Sequence, residues 1–137
     1  MRKYLRILPY MIMVVAVVMI LSCCRLIVTA GASMEPTYST GDRLLCVRSF
    51  APPSAGDVIL FEKDGKLLVK RVAAEPGEVA DLPNDELPAY DYWGSDIVPE
   101  GYLFVTGDNS PQSHDSRDPD FGLIPIEDVW GYVVFQF

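Results

Sequence analysis

The chain has 137 residues, half of them hydrophobic, and a formal net charge of -8. That length holds one anchor segment and one domain of roughly 110 residues, and it excludes a second folded domain. The charge is uneven: Arg2, Lys3, Arg6 and Arg25 are the charged residues of the first 25, whereas residues 26 to 137 carry 7 Lys/Arg against 19 Asp/Glu, a net -12. A domain this acidic lacks the basic stripe that nucleic-acid binding needs, so nucleic acid is excluded as a partner.

From Ile7 to Cys24 run 18 uncharged residues rich in Val, Ile, Met and Leu, bounded by Arg6 and Arg25. A helix of that length spans roughly 27 Å, close to the hydrocarbon core of a bilayer. Pro9 falls in its first turn, where a missing N–H disturbs least, and Arg25 can extend its guanidinium to the far interface. Three basic residues before the run place the N-terminus on the cytoplasmic side. The organisation expected is a cytoplasmic N-terminus over 1–6, a single transmembrane anchor over 7–28 and an extracytoplasmic domain over 29–137, with the cell membrane as location and the bilayer as partner. Two other readings compete here: Ile20-Leu21-Ser22-Cys23 loosely resembles a lipoprotein processing site, and Ala30-Gly31-Ala32 is a small-x-small triplet suited to cleavage. The arginine after the apolar core and the length of the run favour the retained anchor.

Beyond the anchor, apolar runs of four to eight residues recur between turn signals, the pattern of an antiparallel β domain. Leu44–Val47 and Asp57–Phe61 are predicted strands, Lys63-Asp64-Gly65 a hairpin turn, and Lys66–Ala73 the returning strand. Alternation puts Leu67, Val69 and Arg71 on one face of that strand and Leu68, Lys70 and Val72 on the other, so Lys70 sits between two apolar neighbours. From Asp81 to Glu100 the chain is rich in Pro, Asp and Glu, with Tyr90, Tyr92 and Trp93 interspersed, and reads as an irregular loop whose aromatics dock, with no evident hairpin. Tyr102–Thr106 and Val129–Phe135 are the closing strands. Cys23 and Cys24 are adjacent and Cys46 falls in a strand, which gives no disulfide framework and makes Cys46 a small buried hydrophobe.

Two short segments carry the chemistry. A serine is a nucleophile only if something takes its proton, and a lysine does so only where it is held neutral. Ser33 lies just beyond the apolar run in a turn that Pro36 stiffens, and Lys70 lies on an apolar strand face, where burial lowers its affinity for a proton. Free lysine titrates near 10.4, so each unit of downward shift requires about 1.4 kcal/mol of preference for the neutral amine.

Ser33-Met34-Glu35-Pro36-Thr37 with Gly41-Asp42 resembles the nucleophile box of the type I signal peptidases. Val69-Lys70-Arg71-Val72 with Glu75-Pro76-Gly77-Glu78 resembles their general-base box, and Gly107-Asp108-Asn109-Ser110-Pro111-Gln112-Ser113-His114-Asp115-Ser116-Arg117 their C-terminal box. The three boxes stand in the family's order behind the anchor and cover most of the chain. The resemblance implies a mainly β fold: one N-terminal transmembrane helix followed by a compact, antiparallel, β-barrel-like peptidase domain, reduced in size. It implies Ser33 as nucleophile and Lys70 as general base, with Ser113 bonded to the lysine. Asp115 and Arg117 would be the pair propping that region, and Gly107, Asp108 and Asn109 its supporting turn. Gly31, Met34, Pro36 and Val69 are expected at the substrate cleft. The Ser33 N–H is the expected oxyanion donor; the position two residues earlier, where some relatives carry an assisting serine, is Gly31, leaving the second donor open.

The activity implied is endoproteolysis of signal peptides from exported proteins after Ala-x-Ala-type sequences, docked as an added strand, with the export machinery as a further partner. The alternatives are a specialised peptidase for pilin, conjugation or peptide-export substrates, a relative of the self-cleaving Ser/Lys repressors, or an inactive membrane-anchored binding scaffold. The repressor reading conflicts with the anchor, and the scaffold reading with intact boxes. His114, the sole histidine, suggests a triad with Ser33 and Asp115, but neighbouring side chains on extended chain point apart. No Cys/His/Asp cluster has metal-ligand spacing, and no cofactor and no metal are expected.

Overall fold

A two-residue turn sets the central hairpin. Asp64 and Gly65 both have positive φ, 50° and 72°, the backbone such a turn requires and one that glycine adopts with no Cβ penalty. The turn joins β3 (Val58–Lys63) to β4 (Lys66–Ala74), with Lys63 opposite Lys66 and Ile59 opposite Lys70. The structure, a computed structural model, describes residues 2–48, 50–80 and 94–137, with side chains from Ile7 onward. The remaining elements are α1 (Arg2–Cys23), β1 (Cys24–Val28), β2 (Arg43–Val47), β5 (Tyr102–Thr106), β6 (Ile124–Pro125) and β7 (Val129–Gln136).

All seven strands form one antiparallel sheet in the order β1-β2-β7-β3-β4-β5-β6. The mainly antiparallel β domain behind one N-terminal helix is therefore present. Among the named strands the sheet remains open, with β1 and β6 at its ends, where barrel-like closure was expected. Register shifts between Leu45 and Cys46, Leu60 and Phe61, and Val72 and Ala74 bend the sheet, as bulges do.

Alternation then divides the core between two faces. Ile59, Phe61, Val72, Leu103, Val105, Phe121 and Ile124 bury on one face, with Leu68 against them; Leu44, Cys46 and Leu60 bury on the other, with Val69 and Tyr38. Each such Leu, Ile or Phe contributes about 1.5–3 kcal/mol relative to exposure. Leu68 and Val72, the two neighbours of Lys70 along β4, thus belong to one face, as the alternation predicts. Cys46 is fully buried, and burial pushes its thiol up to about 11.

The apolar run that begins at Ile7 divides. The helix stops at Cys23, and Cys24–Val28 pair with β2 from Cys24 opposite Val47 to Val28 opposite Arg43, so the last five residues of the segment expected as an anchor, 7–28, form a strand. The Arg48 N–H donates to the Cys23 carbonyl at 2.8 Å and closes the junction. Among the described residues no helix is long and apolar enough to cross a membrane. The large apolar side chains of α1 from Ile7 to Leu21 are nonetheless exposed.

The segment before Glu100 also differs from its expected form. Gly77 donates to Val98, Ala80 to Asp96 and Val98 to Glu78, with Val79 opposite Ile97 in an antiparallel bridge. Ala80 and Val98 pack with Ala74 and Phe104. A short ladder therefore closes this excursion where none was evident from its composition. Tyr90, Tyr92 and Trp93, expected to dock, lie outside the described residues.

Candidate functional site

The serine turn is held by its own backbone and by the loop after β5. Within it, Glu35 donates to the Ala32 carbonyl at 3.1 Å and Tyr38 to that of Met34 at 2.9 Å. The Glu35–Pro36 peptide is cis, and Gly31 leads into the turn with φ 96°, a backbone that disfavours any residue with a Cβ. From the loop, the Asn109 N–H donates to the Ser33 carbonyl at 3.0 Å and its side-chain amide to the Ala32 carbonyl at 2.9 Å. Among the described residues no acceptor takes the Ser33 N–H.

Lys70 is placed by β4 and only 4% exposed. Its Nζ donates to Ser113 Oγ at 2.8 Å, and Ser113 Oγ donates in turn to Asp115 Oδ2. With its O–H directed at Asp115, Ser113 faces the lysine as an acceptor. Asp115 is fully buried and also receives the Gly107 N–H at 2.7 Å and a two-pronged Arg117 contact, Nε at 2.8 Å and Nη2 at 2.6 Å. Arg117 Nη1 reaches on to Ser110 Oγ at 2.6 Å.

These contacts set the electrostatics. Burial, the largest influence, holds the Lys70 ammonium below its ordinary 10.5; the Asp115 charge opposes that, Arg117 reinforces it and Asp118 opposes it. For Asp115, burial alone pushes the carboxyl up, but the bonds from Arg117, Gly107 and Ser113 outweigh it and keep it below its ordinary 3.8. The site therefore combines a lysine biased toward neutrality with a carboxylate biased toward charge, and such divergent shifts mark functional sites.

Gly107 separates the two serines. A Cβ there would lie 2.7 Å from Ser113 Cβ and overlap both Ser113 Oγ and the Ser33 carbonyl oxygen. Gly107→Ala is expected to destabilise the domain by about 1–3 kcal/mol and to impair the site; a thermal melt and an activity assay read the two effects.

Asp108 forms a second junction. Arg71 donates to it from Nε at 2.8 Å and from Nη2 at 2.6 Å, and Thr37 Oγ1 donates to the same carboxylate at 2.5 Å. The Arg71 bond is the main reason that carboxyl sits below its ordinary value. Sequence reasoning assigned no function to Thr37 or Arg71. Their signal was present, since each lies in a box with a candidate catalytic residue, but residues 37, 71 and 108 meet only through the tertiary fold.

Ser33, Lys70, Gly31, Met34 and Val69 line one cavity of about 670 Å³; Pro36, expected there, does not. Along one wall β4 pairs with β5 only at Arg71, Val72 and Ala74, so residues 66–70 have no β5 partner. Among the described residues no hydrogen bond joins Ser33 Oγ to Lys70 Nζ, although both face this cavity.

His114 lines the same cavity, and its ring nitrogens pair with Asp118 and Asp120 rather than with Asp115. Its Nδ1 lies 2.9 Å from Asp118 Oδ2 and its Nε2 3.6 Å from Asp120 Oδ2. The fold thus gathers three groups whose ligand atoms lie within 4.8 Å of one another, a cluster that the sequence spacing hid. All three side chains are partly or largely exposed, and both carboxylates already lie against the His114 ring. His114→Ala is expected to leave activity within about twofold in a peptide assay, because its ring nitrogens pair with Asp118 and Asp120 and with neither Ser33 nor Lys70.

In general terms this is an antiparallel β domain that brings a turn serine and a buried, carboxylate-supported lysine to a common cleft. The family model described as "Signal peptidase, peptidase S26" matches residues 1–91 and 81–137. The chain is 32% identical over 133 residues to a probable signal peptidase I-1 of Synechocystis sp., covering 77% of this chain and 66% of that protein. It is 33% identical over 134 residues to a probable thylakoidal processing peptidase 2 of Arabidopsis thaliana, covering 78% of this chain and 36% of that one. This chain therefore spans no more than about two-thirds of either relative. A crystal structure of a signal peptidase I from Enterococcus faecalis superposes with a TM-score of 0.51 at 28% identity, covering 63% of this chain and all of the other. The chain belongs to the signal peptidase family.

Proposed function

We propose that the chain is a serine endopeptidase that removes signal peptides from exported proteins, with Ser33 as nucleophile and Lys70 as general base. One observation carries the reading: Ser33 and a buried lysine line the same cavity, and that lysine is oriented by Ser113. A neutral amine has two N–H groups and one lone pair; donating to Ser113 uses an N–H and leaves the lone pair free to accept the Ser33 proton. The Ser33 oxygen then attacks the substrate carbonyl, and the negative oxygen that forms is received by the Ser33 N–H. The Lys70 ammonium returns its proton to the departing amine, and a water activated by the regenerated amine releases the acyl group from Ser33.

The cleft suits an extended substrate. The unpaired β4 edge at residues 66–70 offers main-chain groups to an added strand, and Gly31, Met34 and Val69 leave room for small side chains such as alanine at the positions before the cut. The exposed apolar surface of α1 supports attachment to a bilayer, with the domain on the extracytoplasmic side, near the export machinery that delivers such substrates.

The test is incubation of the detergent-solubilised protein with a preprotein ending its leader in Ala-x-Ala, followed by intact-mass analysis. The expected product begins directly after the second alanine and is absent with Ser33→Ala. Unchanged cleavage by Ser33→Ala would overturn the reading.

A further inference from the structure

The proposed nucleophile and its base sit on different elements, Ser33 in a turn and Lys70 on β4. Among the described residues no hydrogen bond runs directly from residues 32–37 to β4. Among the described residues, the hydrogen bonds that tie the serine turn and the lysine strand to a common segment run to the loop after β5. Asn109 holds the turn at Ala32 and Ser33, and Ser113 holds Lys70. Among the described residues Asp108 alone accepts from both sides, taking Thr37 Oγ1 of the serine turn and the guanidinium of Arg71, the residue next to Lys70. Arg71 is tied further to the Gly56 carbonyl at 2.9 Å, which anchors that end of the bridge.

We propose that Thr37 is a positioning residue: its hydroxyl, through Asp108 and Arg71, sets the separation between Ser33 and Lys70. This rests on the dyad reading above. Thr37 is exposed, so its bond adds little to stability, whereas reacting groups tolerate little misplacement. Ser33 and Lys70 belong to different elements and share no hydrogen bond of their own. Loss of the bridge leaves Asn109 as the turn's hydrogen-bonded hold on the loop, so Ser33 shifts slightly relative to the amine, a displacement that the reacting atoms feel more than the cleft walls do.

The experiment compares Thr37→Val, which keeps the shape and removes the hydroxyl, with Thr37→Ser, which keeps the hydroxyl. Both are assayed on the Ala-x-Ala preprotein beside Ser33→Ala, Lys70→Arg and Asp108→Asn. Thr37→Val is expected to lower kcat by about 10- to 100-fold with KM within about twofold, an unchanged pH midpoint and an almost unchanged Tm. Thr37→Ser is expected to restore most of kcat, and Thr37→Val in the Asp108→Asn background to add nothing to the loss from Asp108→Asn alone. The proposal is overturned if Thr37→Val retains kcat within twofold, if Thr37→Ser is as impaired as Thr37→Val, or if the two substitutions multiply. Activity surviving Ser33→Ala or Lys70→Arg would instead remove the dyad reading, so the two failures are distinguishable.

Discussion

Lys70→Arg is expected to lower cleavage by on the order of a thousandfold or more while leaving the fold intact, because guanidinium does not give up its proton and cannot receive the serine's. Lys70→Met is expected to be equally inactive yet more stable. Lys70 is almost fully buried and its ammonium is held below the ordinary lysine value, so the folded state binds the proton less well than the unfolded chain. Between the folded and unfolded pKa values the unfolded chain carries more protons, so stability climbs with pH; below both, the full penalty applies. The methionine variant escapes that penalty. Its Tm should exceed that of the parent at neutral pH, with the gap narrowing toward pH 10. Thermal melts across that range check it, and a methionine variant less stable at pH 7 would show that Lys70 is held by its partners rather than strained by burial.

Asp115→Ala is expected to be the most damaging change to the fold near the site, at about 3–5 kcal/mol. The substitution removes the carboxylate that receives the Arg117 fork, the Gly107 N–H and the Ser113 hydroxyl, all inside a fully buried position. It also frees Ser113 to turn its proton toward Lys70, so activity should fall with stability. The pH dependence has the opposite sense to that of the lysine. Asp115 is held below 3.8 when folded, so its contribution is complete above the ordinary carboxylate value and is lost as pH falls through the folded one. The parent should therefore lose stability below about pH 4 along a limb that Asp115→Ala lacks. Urea midpoints measured from pH 2 to 7 decide it, and parallel curves for the two proteins would contradict the assignment.

Much of this arrangement was legible in the chain because it is local. Strict alternation from Lys66 placed Lys70 with Leu68 and Val72 on a buried face, and Asp64-Gly65 marked the turn that sets their register. The link from Ser113 to Lys70 and the pair of Asp115 with Arg117 were expected from the resemblance of the C-terminal box; in the fold Lys70 Nζ donates to Ser113 Oγ, and Arg117 pairs with Asp115. What escaped is non-local. Nothing within the apolar run separates the helix that ends at Cys23 from the strand that begins at Cys24; β1 is a strand because β2 lies beside it. The ladder joining Gly77–Ala80 to Asp96–Val98 is too short to leave a period, and the bridge from Thr37 through Asp108 to Arg71 draws on three distant segments. The open sheet order likewise depends on which strands meet, which alternation does not encode.

The most direct measurement for the dyad is the pH dependence of kcat/KM on an Ala-x-Ala preprotein, recorded for the parent and for His114→Ala. A lysine base gives one ascending limb with its midpoint below that of free lysine, and His114→Ala leaves that limb in place, because only neutral Lys70 accepts the serine proton. A midpoint near 6.5 that disappears with His114→Ala would make the histidine the base and contradict the account.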